Sequence, residues 1–155
     1  MSAIRYRPAL DSDIPAMARL RSAEWGDEKY WRDRIAAYMT CELDPQHALK
    51  PRVLFAAMQG DALIGFIAGH LTSRYNCDGE LEWINVDPTN RRTRIASDLL
   101  RLLAYWFAEN NARRVCVDVD PKNLAARRFY TKLGATELNR HWLVWDDISL
   151  VVTDR

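Results

Sequence analysis

The sequence predicts an α/β (α+β) domain, a mixed sheet with helices on its faces, and three observations carry that reading. Short apolar or alternating runs are interleaved with segments of helical periodicity, the pattern of a sheet covered by helices. The 155 residues suit one domain, 1–155, with no repeat, low-complexity tract or linker long enough to divide it. Apolar residues make up 48% and charged residues 28%, ordinary soluble usage that argues against disorder, collagen and coiled coil.

The elements follow in order. Ile4 and Tyr6 alternate with Arg5 and Arg7 in a short strand ended by Pro8. Asp11 or Ser12 can cap a helix whose apolar stripe is Ile14, Met17, Ala18 and Leu20. A second helix follows the Gly26-Asp27 break, with Tyr30, Trp31, Ile35, Tyr38 and Met39 at helical spacing. Pro45 and Pro51 bracket a loop. Residues 53–58 then read as a strand, Gly60-Asp61 as a hairpin turn, and 62–69 as the return strand. Asn76-Cys77-Asp78-Gly79 turns into a strand over 80–86. The longest helix places Ile95, Leu99, Leu102, Leu103, Trp106 and Phe107 on one face and stops at Asn110-Asn111. Val115, Val117 and Val119 form a strand with Cys116, Asp118 and Asp120 on its other face. A short helix carries Ala126, Phe129, Tyr130 and Leu133, closed by Gly134, and residues 142–145 are the last strand.

Several function classes drop out on composition. No stretch approaches the ~20 apolar residues of a membrane span, and the start lacks the apolar core of a signal peptide. Cys41, Cys77 and Cys116 are odd in number and form no CxxC pair, which argues against a disulfide framework or thiolate zinc site. The expectation is a cytoplasmic protein. Net charge is only +1, yet residues 87–132 hold ten Lys/Arg against five Asp/Glu, with acidic segments on either side. A basic middle suggests a bound anion, while the near-zero total argues against a nucleic-acid surface.

The informative segment runs from Val86-Asp87-Pro88 through Arg91-Arg92-Thr93-Arg94 to Ile95-Ala96-Ser97. It reads as a strand, a tight link, an arginine cluster and a helix start. Helix N-termini present unpaired amides and about half a unit of positive charge, so they bind phosphates. Arginines in that turn oppose the dipole, and a bound polyanion would relieve the conflict. A solvated basic turn fits these residues equally well.

This segment resembles motif A of the GCN5-related N-acetyltransferase (GNAT) family: an apolar strand, Val-x-Pro, then Arg/Gln-x-x-Gly-x-Gly/Ala and a helix. Arg91, Arg94 and Ala96 stand at the three signature positions, with Arg94 where the family has glycine. Residues 123–135 are similar to the family's following helix, Asn-x-x-Ala-x-x-x-Tyr-x-x-x-Gly-Phe, with Ala135 in place of the closing aromatic. The order of elements across nearly the whole chain fits as well. The resemblance implies the GNAT fold, a central mixed, mostly antiparallel sheet flanked by helices on both faces.

It also implies acetyl transfer from acetyl-CoA directly to a primary amine of a small molecule or protein, with no metal. The other reading of the same fold is a non-catalytic acyl-CoA sensor or scaffold. An alkyl ammonium with a pKa of ~10.4 must lose a proton before attack, and a thiolate leaving group, of thiol pKa roughly 8.5, welcomes one. Tyr130 matches the family's general acid. The Val86 amide is the implied oxyanion donor. Ile84, Asn85 and Val86 would line the pantetheine arm, and amides over Arg92, Thr93, Arg94, Ile95, Ala96 and Ser97 would cradle the pyrophosphate beside Arg91. Asn123 matches a residue that bonds coenzyme A and is also a natural helix cap.

The base is open among three carboxylates. Glu80 and Glu82, acting through water, come first, and Asp118, twelve residues before Tyr130, second. Strict alternation puts Glu80 and Glu82 on the side of Ile84 and Val86, though a bulge could re-aim them. Each carboxylate could equally be a rim charge or an arginine's partner. The first two helices build the acceptor side in this family, and residues 24–31 are acidic and aromatic, a surface suited to a cationic amine. Trp31 fits the helical stripe, so packing explains it too. His47, His70 and His141 lack metal-ligand spacing and read as surface or packing residues. The sequence leaves a homodimer open.

Overall fold

The described residues form seven strands and five helices, and six of the strands and four of the helices stand in the order the sequence suggests. The strands are β1 (Ile4–Pro8), β2 (Ala48–Gln59), β3 (Ala62–Thr72), β4 (Gly79–Val86), β5 (Val115–Asp118), β6 (Thr136–Glu137) and β7 (Trp142–Trp145). The helices are α1 (Ile14–Ser22), α2 (Glu28–Met39), α3 (Ile95–Glu109), α4 (Leu124–Lys132) and α5 (Ser149–Thr153). These come from a computed structural model describing residues 3–42, 44–91 and 93–153.

The strands form one open sheet in the order β1-β2-β3-β4-β5-β7-β6. Every neighbouring pair is antiparallel except β4 and β5. That parallel contact is short, from Gly79 opposite Val115 to Leu81 opposite Val117. Beyond it β4 continues to Val86 alongside β3 alone, so a gap opens between β4 and β5.

Helices cover both faces. Leu99, Leu103 and Phe107 of α3 pack with Ile67, Leu81, Val117, Leu143 and Tyr130 on one side. Met17 and Ala18 of α1 and Trp31, Ile35 and Tyr38 of α2 pack with Phe66 and Trp83 on the other. The α3 layer lies so close to the sheet that a Cβ on Gly79 would sit on the Phe107 ring, and one on Gly69 would meet Leu103 at 2.8 Å. Glycine is required at Gly79 for that approach.

Local signals explain the boundaries. Asp27 caps α2 by accepting from the Tyr30 amide at 2.7 Å. The first helix departs from expectation: Asp11 and Ser12 lie in a 3-10 turn over Asp11–Asp13, and α1 starts only at Ile14. Asp13 is held there by Arg7, at 2.7 and 3.0 Å, and accepts from the Leu10 amide. Strands β2 and β3 run longer than their apolar cores suggest, because pairing with each other carries polar residues along. Two elements escape the sequence reading, the two-residue β6 and the terminal α5, both too short to show a period. No helix among the described residues is long and apolar enough to cross a membrane.

Candidate active site

The gap between β4 and β5 opens into a cleft of about 960 Å³ running between the α1–α2 side and the starts of α3 and α4. A volume of that order is typical of small-molecule and cofactor sites. Its walls include Glu80, Glu82, Ile84, Val86, Arg91, Ala96, Asp118, Asn123 and Tyr130, so nine of the residues singled out from sequence converge there, and Asn85 joins them.

A bulge decides where the carboxylates point. Trp83 pairs with Ala68 and Leu81 with Gly69, which leaves Glu82 unopposed on β4. The extra residue breaks alternation, and the expected grouping of Glu80 and Glu82 with Ile84 and Val86 is corrected. Leu81, Ile84 and Val86 belong to the α3 side, whereas Trp83 packs under α1 and α2. Glu80 and Glu82 share the Trp83 side with His70 of β3, which stands opposite Glu80.

The three candidate carboxylates differ. Glu80 is engaged by Arg74 Nε at 3.2 Å and faces His70 Nε2 at 3.5 Å. Glu82 keeps Oε1 without a hydrogen bond although its side chain is only 13% exposed. Burial, reinforced by the charge of Glu80, pushes its carboxyl above the ordinary range, against the opposing pull of His70, Arg34 and Arg21. Asp118 sits exposed at the end of β5, on the far lip of the cleft.

Tyr130 enters from α4. Its ring is fixed in the core, perpendicular to Trp145 at 5.7 Å and tilted on Phe129 at 5.3 Å. The residue is 5% exposed, and its hydroxyl makes no hydrogen bond to another described residue. Burial raises its pKa well above that of a free phenol, helped by Glu24 and opposed by Arg21, so it keeps its proton. Asn123 caps α4 by accepting from the Ala126 amide at 3.1 Å.

Backbone geometry gives the open edge its donors. Asp87 N–H bonds Ile64 O at 2.7 Å, in register with Val86 opposite Gly65. Antiparallel alternation then turns the Asn85 amide toward β3 and the Ile84 and Val86 amides toward the gap. The Asn85 side chain is on the α1 side, where its Oδ1 accepts from Arg21 at 3.1 Å. The Val86 carbonyl is used by Arg91 Nε at 3.3 Å.

At the start of α3, Thr93 Oγ1 accepts from the Ile95 amide and donates to Asn90 O. Ile95 is buried, and Ser97 Oγ donates to Arg94 O. The first-turn amides, Ala96 and Ser97 among them, have no carbonyl one turn back within the helix. Arg92 lies outside the described residues. Arg94 lines a separate cavity of about 620 Å³ with Tyr6 of β1, Asp98, Arg101 and Tyr105 of α3 and Val152 of α5, and is not among the residues lining the cleft. An arginine can replace the signature glycine because the side chain turns away from the cleft.

Sequence reasoning missed Arg21, Tyr38, His70 and Arg74. Arg21 extends the Ile14, Met17, Ala18 stripe at i+7, a signal present in the spacing. Its guanidinium lies 4.5 Å over Trp31 and 5.9 Å from Trp83. His70 is fully buried and not a surface residue; its neighbours come from other strands, where linear spacing has nothing to show.

Comparison with known proteins agrees with this geometry. A family model described as "Acetyltransferase (GNAT) family" matches residues 17–135. The chain belongs to the GNAT acetyltransferases. No curated protein matches it. Among solved structures, this GNAT chain is similar to the PaiA N-acetyltransferase of Thermoplasma acidophilum in complex with coenzyme A, with 18% identity, TM-score 0.68 and coverage of 94% of this chain and 99% of that one. The aminoglycoside 6'-N-acetyltransferase of Acinetobacter haemolyticus gives 20%, 0.73, 87% and 92%. Arabidopsis thaliana NAA60 with a bisubstrate analogue gives 15%, 0.70, 92% and 98%. At these identities the likeness speaks to the fold, a mixed and mostly antiparallel sheet with helices on both faces.

Proposed function

We propose that this GNAT acetyltransferase moves an acetyl group from acetyl-CoA directly to the primary amine of a cationic acceptor. One observation carries the reading: Val86, Tyr130 and Glu82 line a single cleft at the β4–β5 gap, with Glu82 Oε1 lacking a hydrogen bond to any described residue. The residues fit the cofactor. Unpaired amides at Ile84 and Val86 suit an amide-bearing arm, and the amides at Ala96 and Ser97 beside Arg91 suit a diphosphate.

When bound, acetyl-CoA supplies an activated thioester carbonyl. Glu82 accepts the proton of the incoming ammonium, directly or through water; its raised affinity for a proton brings it closer to that task than an exposed carboxylate. The Val86 N–H donates to the carbonyl oxygen as negative charge develops there. Tyr130, kept protonated by burial, holds the proton that the departing sulfur takes. Glu80, tied to Arg74, supports Glu82, and Asp118 contributes charge at the rim.

The acceptor side favours a cation. Glu24, Glu82, Trp25, Tyr30 and Trp31 line it together with Arg21 and Arg34. Arg21 pairs with Glu24 at 3.1 Å and covers the Trp31 ring, which leaves the exposed Trp25 and Tyr30, packed at 5.4 Å, and Glu82 to meet an ammonium. Aromatic faces and carboxylates attract an ammonium together. Three free thiols support the expectation of a reducing, cytoplasmic setting. Incubating the protein with acetyl-CoA and a panel of amines, with free thiol as readout, tests the proposal. Diamines and basic peptides should release thiol faster than neutral amines; no release with any amine would refute it.

A further inference from the structure

Beneath the cleft floor Glu80 and Glu82 meet two residues, His70 and Tyr38, that take no part in the proposed proton transfers. His70 is fully buried on β3. Its Nδ1 is 2.9 Å from the Tyr38 hydroxyl of α2 and 3.9 Å from Glu82 Oε1, while Nε2 is 3.5 Å from Glu80 Oε1. Neither His70 Nε2 nor Glu82 Oε1 has a hydrogen-bond partner, and orphaned polar atoms at such depth call for a reason. Glu80 is anchored on its other side by Arg74, which also donates to Gln46 O and stacks on Trp142 at 4.6 Å.

We propose that His70 is a positioning residue for the base: its ring, held between Tyr38 and Glu80, keeps Glu82 oriented and ready to accept the acceptor's proton. The proposal rests on the reading of Glu82 as base. Two carboxylates this close and this buried repel each other, so at least one needs a cationic neighbour to stay ionised. Arg74 serves Glu80. His70 lies between the two carboxylates, with Nδ1 hydrogen-bonded to Tyr38 and Nε2 facing Glu80, and its electrostatic influence favours the ionised form of Glu82.

The other groups facing Glu82 are Glu80 on its own strand, Arg34 and Tyr38 on α2, and Arg21 on α1. The two arginines pull in the same direction as His70 but more weakly. A divalent metal is the competing occupant, since His70, Glu80 and Glu82 can each offer an atom within 4.8 Å of the others. Yet the ring's two nitrogens face different carboxylates, which suits a bridge between them better than convergence on one ion.

The test compares wild type, Glu82→Gln, His70→Gln and Tyr38→Phe by pH profiles of kcat/KM in the thiol-release assay, with melting temperature and acetyl-CoA affinity as controls. Removing the influence of His70, which favours the ionised carboxyl, should carry the acid limb of His70→Gln toward alkaline pH by about one unit, a tenfold loss on the limb that vanishes on the plateau. Tyr38→Phe should shift the limb in the same direction by less. Acetyl-CoA affinity should stay within about threefold, and EDTA should leave the wild-type rate unchanged. A Glu82→Gln enzyme as active as wild type would remove the underlying reading. A strongly impaired Glu82→Gln beside a His70→Gln with an unmoved limb would overturn the role of His70 alone. A loss equal at every pH would mark His70 as merely structural, and EDTA inactivation reversed by Zn²⁺ would replace the bridge with a metal site. Should His70→Gln fail to fold, an unmoved limb in Tyr38→Phe would overturn the proposal.

Discussion

Replacing Tyr130 with phenylalanine separates chemistry from packing more cleanly than any other single change. The ring contacts stay, with Trp145 perpendicular at 5.7 Å and Phe129 at 5.3 Å. Only a hydroxyl without a hydrogen bond to another described residue is lost, so stability should move by no more than about 0.5 kcal/mol. For a domain of this size that is a melting shift of about 1–2 °C. Acetyl-CoA affinity should stay within about threefold. Turnover should fall by about 10²–10⁴, the ordinary worth of a general acid and equivalent to roughly 2.7–5.5 kcal/mol of barrier. Free-thiol release under saturating acetyl-CoA gives kcat, and calorimetric titration gives the affinity. An unchanged kcat would remove Tyr130 from the acid role, and a matching loss of affinity would make it a binding residue.

Three further outcomes follow from the geometry. Glu82→Gln should abolish most turnover and raise stability at pH 8. A carboxyl whose pKa is raised on folding binds more protons in the native state, so stability falls as pH climbs from the unfolded value of ~4.3 through the folded one, and the neutral amide escapes that loss; denaturation at pH 4 and pH 8 shows whether the gain is confined to the higher pH. Arg94→Gly should leave acetyl-CoA affinity within threefold, because Arg94 lines the separate cavity and not the cleft; a tenfold loss by titration would make it a phosphate ligand. Gly79→Ala should cost about 1–3 kcal/mol in urea melts, since the new methyl overlaps Phe107; a neutral result would mean the α3 layer yields easily.

Much of the fold was legible because its elements carry their own periods. The 95–107 stripe, the Gly60-Asp61 hairpin and the 126–133 helix repeat in space the spacing written in the chain. Parts of the site were legible for a different reason: Val86, Arg91, Ala96, Asn123 and Tyr130 lie on two local segments whose resemblance to GNAT motifs is itself local. What stayed hidden depends on pairing between distant strands. The bulge at Glu82 is a fact about register with β3, and it alone turns Glu80 and Glu82 to the Trp83 side. His70 reaches Glu80 across two strands and Tyr38 from a helix, contacts that no linear spacing encodes. The side chain of Arg94 was undetermined because a helix start offers two faces, and only the cavity that Tyr6 of β1 forms with α3 shows which one it takes.

The account stands most directly on where coenzyme A binds. A crystal grown in excess acetyl-CoA should show its diphosphate against the Ala96 and Ser97 amides beside Arg91, its pantetheine arm in the β4–β5 gap, and its acetyl group between the Val86 N–H, Tyr130 and Glu82. A cofactor seated elsewhere, with that gap closed or filled by the protein's own side chains, would contradict the account.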